Sequence, residues 1–276
     1  MKIIASTGVK GGVGKSTFAI LLALNLKKKG KRVVLCDCDI ECPNDFVLLK
    51  QKLKKPRYIY RNFPKLDKRK CRKCGICAQK CKSNAIFWSP GRYPVFFYDL
   101  CINCGVCWNI CPFNAIKIKK EAIGKVYINR VDKNFWLVTG ISKSTVTETA
   151  PIVREAKKVA KNLAERVKAD YIIIDTAPGA HCNVIHALID CDKVYAVTEP
   201  TPLGAYDLQV ILQLAKQLNL KVEIILNKSN VGNKKIIQEI AKKFGVKISL
   251  EIPYSKELIE AYSQGNLEKV VELVKI

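Results

Sequence analysis

Two cysteine runs share one spacing. CRKCGICAQKCKSNAI starts at Cys71 and CINCGVCWNICPFNAI at Cys101, thirty residues apart throughout. Both carry four cysteines, a glycine after the second, and a closing Asn-Ala-Ile. Thiolates are soft metal ligands, and 13 cysteines in a chain read as cytoplasmic point to metal ligation rather than disulfides. Structural zinc usually takes its four ligands as two separated pairs. A doubled run of four suits cubane iron–sulfur chemistry better.

A second constellation handles phosphate. Gly8 to Ser16, GVKGGVGKS, fits the P-loop pattern G-x-x-x-x-G-K-[ST]. Glycines there let the backbone approach a phosphate, and the amides of Gly12, Val13, Gly14 and Lys15 can form an anion nest at a helix N-terminus. Lys15 would reach the outer phosphates, and the Ser16 hydroxyl would bind Mg²⁺. Further on, the apolar strand of YIIIDTAPG ends in Asp175, a Walker-B arrangement that sets a carboxylate near the metal. Asp37 and Asp39 end the strand of VVLCDCDIECPND; they could face the γ-phosphate or belong to a solvated acidic turn.

KGGVGKST from Lys10, with Asp37–Cys38–Asp39, resembles the deviant Walker-A motif of the MinD/ParA family of P-loop ATPases. The resemblance implies an ATP-dependent homodimer in which Lys10 reaches the partner's nucleotide. It further implies that Asp37 supports the Mg²⁺ shell with Ser16 and Asp175, and that Asp39 orients the attacking water. ATP would contact Gly11, Gly12, Val13, Gly14, Lys15, Ser16 and Thr17, with Asn227 and Pro253 at the adenine. The cysteine repeat resembles a two-cluster bacterial-type ferredoxin. In that pattern three close thiolates hold three cubane corners and the fourth crosses from the other half. Cluster 1 would take Cys71, Cys74, Cys77 and Cys111; cluster 2 would take Cys81, Cys101, Cys104 and Cys107. Lys82 stands where the pattern has proline, as at Pro112; this removes no ligand and puts a positive charge near a cluster.

The positioning elements follow from periodicity. Lys2–Ser6 and Arg32–Cys36 read as buried strands, with a helix from Ser16 to Lys29 stopped by Gly30. Residues 50–73 have no clear period and read as a linker. Phe135–Val138, Tyr171–Ile174, Val194–Val197, Val222–Leu226 and Leu250–Ile252 read as strands, and Thr149–Ala169 as a long amphipathic helix. Strands alternating with helices around an inserted cysteine module read as α/β, and the resemblances imply a mostly parallel-sheet P-loop NTPase with an inserted α+β ferredoxin module. The division is 1–60, 61–120 and 121–276, the middle piece being the insert.

Composition bounds the function. No stretch approaches the apolar length of a membrane span, and MKIIASTGVKGG reads as a strand entering a loop rather than a signal peptide. A charge of +24 permits an acidic partner, or reflects a solvated or heat-adapted surface. Neither a nucleic-acid recognition motif nor the basic face of a membrane-anchoring helix is visible. The leading expectation is ATP hydrolysis by a dimer, coupled to electron transfer through two [4Fe–4S] clusters to a redox or cofactor-acceptor protein. A rival is ATP-dependent assembly or delivery of an iron–sulfur or metal cofactor, with Cys42 and Cys182 as candidate ligands beside Cys38. The last is a DNA- or membrane-partitioning ATPase with a structural ferredoxin part. Cys36 and Cys191 read as core, and His181 and His186 as structural.

Overall fold

The computed structural model describes residues 1–144, 146 and 148–274. In chain order the elements begin β1 (Lys2–Thr7), α1 (Lys15–Lys28), β2 (Val33–Cys38), α2 (Asp45–Leu48) and β3 (Arg57–Leu66). Next come α3 (Ile76–Gln79), β4 (Ile86–Phe87), β5 (Val95–Phe96), α4 (Val106–Ile110), β6 (Ile116–Asp132) and β7 (Phe135–Ser142). The rest are α5 (Ala150–Arg166), β8 (Tyr171–Thr176), α6 (Cys182–Leu188), β9 (Lys193–Thr198), α7 (Pro202–Gln217), β10 (Val222–Asn227), α8 (Lys234–Phe244), β11 (Ile248–Ile252), α9 (Lys256–Ser263) and α10 (Leu267–Val274).

The chain divides into two compact units. Unit 1 is Met1–Arg57, Val126–Ile141 and Ala150–Ile276; unit 2 is Tyr58–Lys125 and Ser142–Thr149. In unit 1 the strands run in the order β11-β10-β9-β1-β8-β2-β7, and every pairing from β11 to β7 is parallel. Such strands are covered on both faces, so they read as unbroken apolar runs. Helix α1 is sandwiched accordingly: Phe18 to Ala23 are all buried, and Val270, Val271 and Val274 of α10 join the same core. The C-terminal LEKVVELVKI is thus a core element over its described residues; its last two lie outside them. Gly30, at φ 76°, turns the chain out of α1, its amide bonding back to Lys27.

Two expectations need correction. Residues 50–73 are not a linker throughout, because β3 occupies Arg57–Leu66. Its Tyr-Ile-Tyr stretch favours extended backbone, and Pro64, which lacks an amide hydrogen, is tolerated because β3 is an edge strand beside β6. The strand at Phe135 is also longer, running to Ser142 as the second arm of a hairpin with the 17-residue β6.

Unit 2 repeats itself in backbone as well as sequence. Gly75 (φ 76°) and Gly105 (φ 81°) precede α3 and α4, and Asn84 (φ 53°) and Asn114 (φ 47°) turn each run's end. At Gly75 the glycine is required twice over, since an added Cβ would sit 2.5 Å from the Trp88 ring. Ile86, Cys107 and Ile116 form the small core, and β4 pairs antiparallel with β5.

Candidate functional site

Neighbouring parallel strands deliver the acids of unit 1 to one place. Asp37 near the end of β2 is in register with Asp175 of β8, which is in register with Ser6 of β1. The carboxyl ends of parallel strands are where α/β sheets bind ligands. Asp45, at the start of α2, completes a trio. All three are fully buried, and one oxygen of each lies within 4.8 Å of the others. Burial pushes Asp37 and Asp45 well above the usual carboxylate range and Asp175 to about 7, against the pull of Ser16 and Lys15.

Asp37 orders the loop that follows it. Its Oδ1 accepts the Asp39 amide at 3.1 Å, and its Oδ2 accepts those of Asn44 and Asp45, both at 3.2 Å. Neither Asp45 oxygen has a hydrogen-bond partner among the described residues. Orphaned buried oxygens in a ring of acids fit a hard divalent cation such as Mg²⁺.

In front of the acids lies a cavity of ≈ 420 Å³. Gly11, Gly12, Gly14, Lys15, Ser16, Thr17, Asp39, Asn227 and Pro253 all line it. Its far end is apolar, with Leu21, Tyr254, Leu258, Tyr262 and Val270. Gly14, at φ 103°, cannot carry a side chain: a Cβ would lie 2.7 Å from Asn227 Nδ2, which donates to the Val13 carbonyl at 2.9 Å. Lys15 Nζ donates to the Lys10 carbonyl at 2.9 Å, and burial lowers its pKa. Asp39, whose pKa burial raises, accepts the Cys42 amide at 3.3 Å.

Four expected residues do not line the cavity. The Val13 side chain is in the core, leaving only its backbone for a ligand. Asp37 and Asp175 are buried and do not line it. Lys10 pairs with Glu199, which also takes Lys228 Nζ at 3.1 Å. Burial works against the ionised form of Glu199, yet the two ammonium groups together hold it below the usual Glu range.

Asp45 and Glu199 were not singled out from the sequence. Asp45 carries only a weak signal, as the last residue of VVLCDCDIECPND, and Glu199 lies in none of the motifs read above.

Cys36 and Cys191 are buried, as read. Cys38 is buried too, its sulfur 3.6 Å from that of Cys36, because residues two apart share a strand face; it is not a surface ligand. Cys42 and Cys182 are exposed, on segments joined where Asn183 donates to Glu41 at 3.4 Å.

In unit 2 the eight cysteines sort into two hollows. Cys71, Cys74, Cys77 and Cys111 line one; Cys81, Cys101, Cys104 and Cys107 line the other. Each run therefore lends its fourth cysteine to the hollow of the other. Burial and neighbouring thiols push Cys77 up and Cys107 to about 12. Among the described residues, the carboxylate trio is the set of three whose ligand atoms converge within 4.8 Å; no three cysteines do.

Comparison with known proteins matches residues 4–268 to the CobQ/CobB/MinD/ParA nucleotide binding domain. An uncharacterized protein of Methanocaldococcus jannaschii is 35% identical over 268 residues, covering 96% of this chain and 90% of its own. The iron-sulfur cluster carrier protein of that organism is 24% identical, covering 98% and 68%. The septum site-determining protein MinD complexed with Mg-ADP, from Pyrococcus horikoshii, shares the fold at TM-score 0.59 and 18% identity, covering 99% and 94%. No helix among the described residues is long and apolar enough to cross a membrane.

Proposed function

Because the chain belongs to the CobQ/CobB/MinD/ParA nucleotide-binding family and has a MinD-like ATPase fold, we propose that it couples ATP hydrolysis to electron transfer through two [4Fe–4S] clusters of a ferredoxin-like insert. The carrying observation is the crossed sorting of eight cysteines into two hollows. Its geometry argues against zinc. Four thiolates at about 2.3 Å from one ion stand about 3.8 Å apart, tighter than any cysteine set here. Ligands on separate corners of a cubane stand further apart.

ATP would occupy the ≈ 420 Å³ cavity. The amides of Gly11 to Lys15, with Thr17, would hold the phosphates, and Asn227 and Pro253 the adenine. Ser16, Asp37 and Asp175, joined by Asp45, would hold Mg²⁺ directly or through water. Asp39 lies on the cavity wall where it can orient the attacking water. Lys10 would serve the partner's nucleotide in a homodimer, which requires it to leave Glu199. The protein would work in the cytoplasm, where thiols stay reduced.

Relatives named iron-sulfur cluster carrier proteins, together with exposed Cys42 and Cys182, favour a second reading, ATP-dependent delivery of a cluster. An anaerobic redox titration followed by EPR, with and without Mg·ATP, separates the two. Gated electron transfer predicts a nucleotide-dependent shift of about 59 mV, or about 1.4 kcal/mol for one electron. No shift, with cluster loss to an apo-acceptor, supports delivery.

A further inference from the structure

The two cysteine loops of unit 2 match in backbone and differ in surface. Around the first two cysteines of run 1 the chain reads Lys68, Arg69, Lys70, Cys71, Arg72, Lys73, Cys74. The equivalent positions of run 2 are Tyr98, Asp99, Leu100, Cys101, Ile102, Asn103, Cys104. Tyr98, Leu100 and Ile102 are exposed, so the second loop shows an apolar surface where the first shows a cationic one. Lys68, Arg69, Lys70, Arg72 and Cys74 are all exposed.

The cationic loop is held in place. Asp67 accepts the Arg69 amide on its side chain at 3.1 Å, and its carbonyl accepts the Lys70 and Cys71 amides. Its carboxylate also pairs with Lys117 at 3.4 Å, so it is engaged. Among the described residues, Lys68, Arg69, Lys70 and Arg72 pair with no carboxylate. Unit 2 carries fifteen Lys and Arg against four Asp and Glu, a bias that two clusters of thiolates reduce but do not reverse.

We propose that the loop Lys68–Cys74 is the docking surface for a small acidic electron-carrier protein. This rests on the reading that Cys71, Cys74, Cys77 and Cys111 hold a cluster. A partner's carboxylates would meet four unpaired cations, and the exposed Cys74 would place the cluster edge beneath the contact. Charge complementarity sets the register and speeds encounter. A nucleic acid suits the loop less well. Single strands bind by stacking bases on open aromatic faces, and residues 68–74 carry no aromatic side chain; the neighbouring Tyr93 ring has Lys73 at 4.7 Å and Lys68 at 5.6 Å.

The test uses the full chain, purified anaerobically and assayed for iron and acid-labile sulfide. The probe is an acidic plant-type [2Fe–2S] ferredoxin, with Kd measured by calorimetry at about 50 and 300 mM salt. Expected is binding that weakens about tenfold or more across that range. The triple variant K68E/R69E/K70E should weaken it about 30-fold with iron content unchanged. K158E/K216E/K242E on unit 1 should change it less than about threefold. A loaded chain with no affinity overturns the docking proposal alone, as does a Kd indifferent to the loop reversal. A chain that binds a 20-nucleotide single strand more tightly than the ferredoxin also overturns it. A chain that never holds iron overturns the cluster reading and the proposal together.

Discussion

The buried acids of unit 1 and the cysteine hollows of unit 2 gather ligands in opposite ways. Asp37, Asp45 and Asp175 come from a central pair of strands and one short helix, and their oxygens converge within 4.8 Å. The cysteines come from loops and one-turn helices, and their sulfurs stay apart. Convergent hard oxygens in a dry site suit one small dication; dispersed soft sulfurs around a hollow suit a polynuclear group. Burial raises the pKa of the acids and of Cys77 and Cys107 alike, so a cation at either site competes with protons.

That contrast can be broken by separating the two chemistries. Lys15→Ala should lower ATP hydrolysis at least about 100-fold while iron per chain stays constant, measured as phosphate release beside iron assay. Loss of iron in that variant would mean the sites are not independent. Cys107→Ser should cost about half the iron or more and leave hydrolysis within about twofold.

Asp45→Asn sharpens the acid site. It should weaken Mg²⁺ about tenfold in a calorimetric titration, yet stabilise the metal-free protein by about 1–2 kcal/mol, because it removes an unpaired buried acid. The pH dependence has a definite sign. Asp175 titrates at about 7 in the fold, far above its unfolded value. The folded chain therefore binds more protons between about pH 4 and 7, and metal-free stability falls as pH rises through that window. Without Mg²⁺ the melting temperature should drop by about 5–10 °C from pH 5 to pH 8, and saturating Mg²⁺ should remove most of that slope.

The repeats can also be compared with each other. Gly75→Ala should destabilise unit 2 by about 2–4 kcal/mol, since φ is positive and Trp88 blocks the Cβ at 2.5 Å. Gly105→Ala should cost about 1–2 kcal/mol, because Trp108 stands back at 3.1 Å. Circular dichroism in denaturant measures both.

The parallel strands and the P-loop helix were legible because double burial leaves unbroken apolar runs and the loop has its own grammar of glycines. Strand β3 was not, since an edge strand rich in Lys and Arg lacks alternation, and Pro64 argues against pairing until its open side is known. Asp45 was invisible because burial of an acid is a property of packing, and the hydrogen bonds that Asp37 makes to the following loop leave no local trace for the same reason. Lys10 was legible as a motif residue; its tie to Glu199 spans 189 positions and leaves no local trace.

The exchange of fourth cysteines makes the repeat indivisible. Cys81 belongs to the hollow of the second run and Cys111 to that of the first. A single half, cut from the chain or expressed alone, would offer its own hollow three ligands and leave one stranded. On the cluster reading proposed above, neither run can be altered alone: a change in either one reaches both hollows.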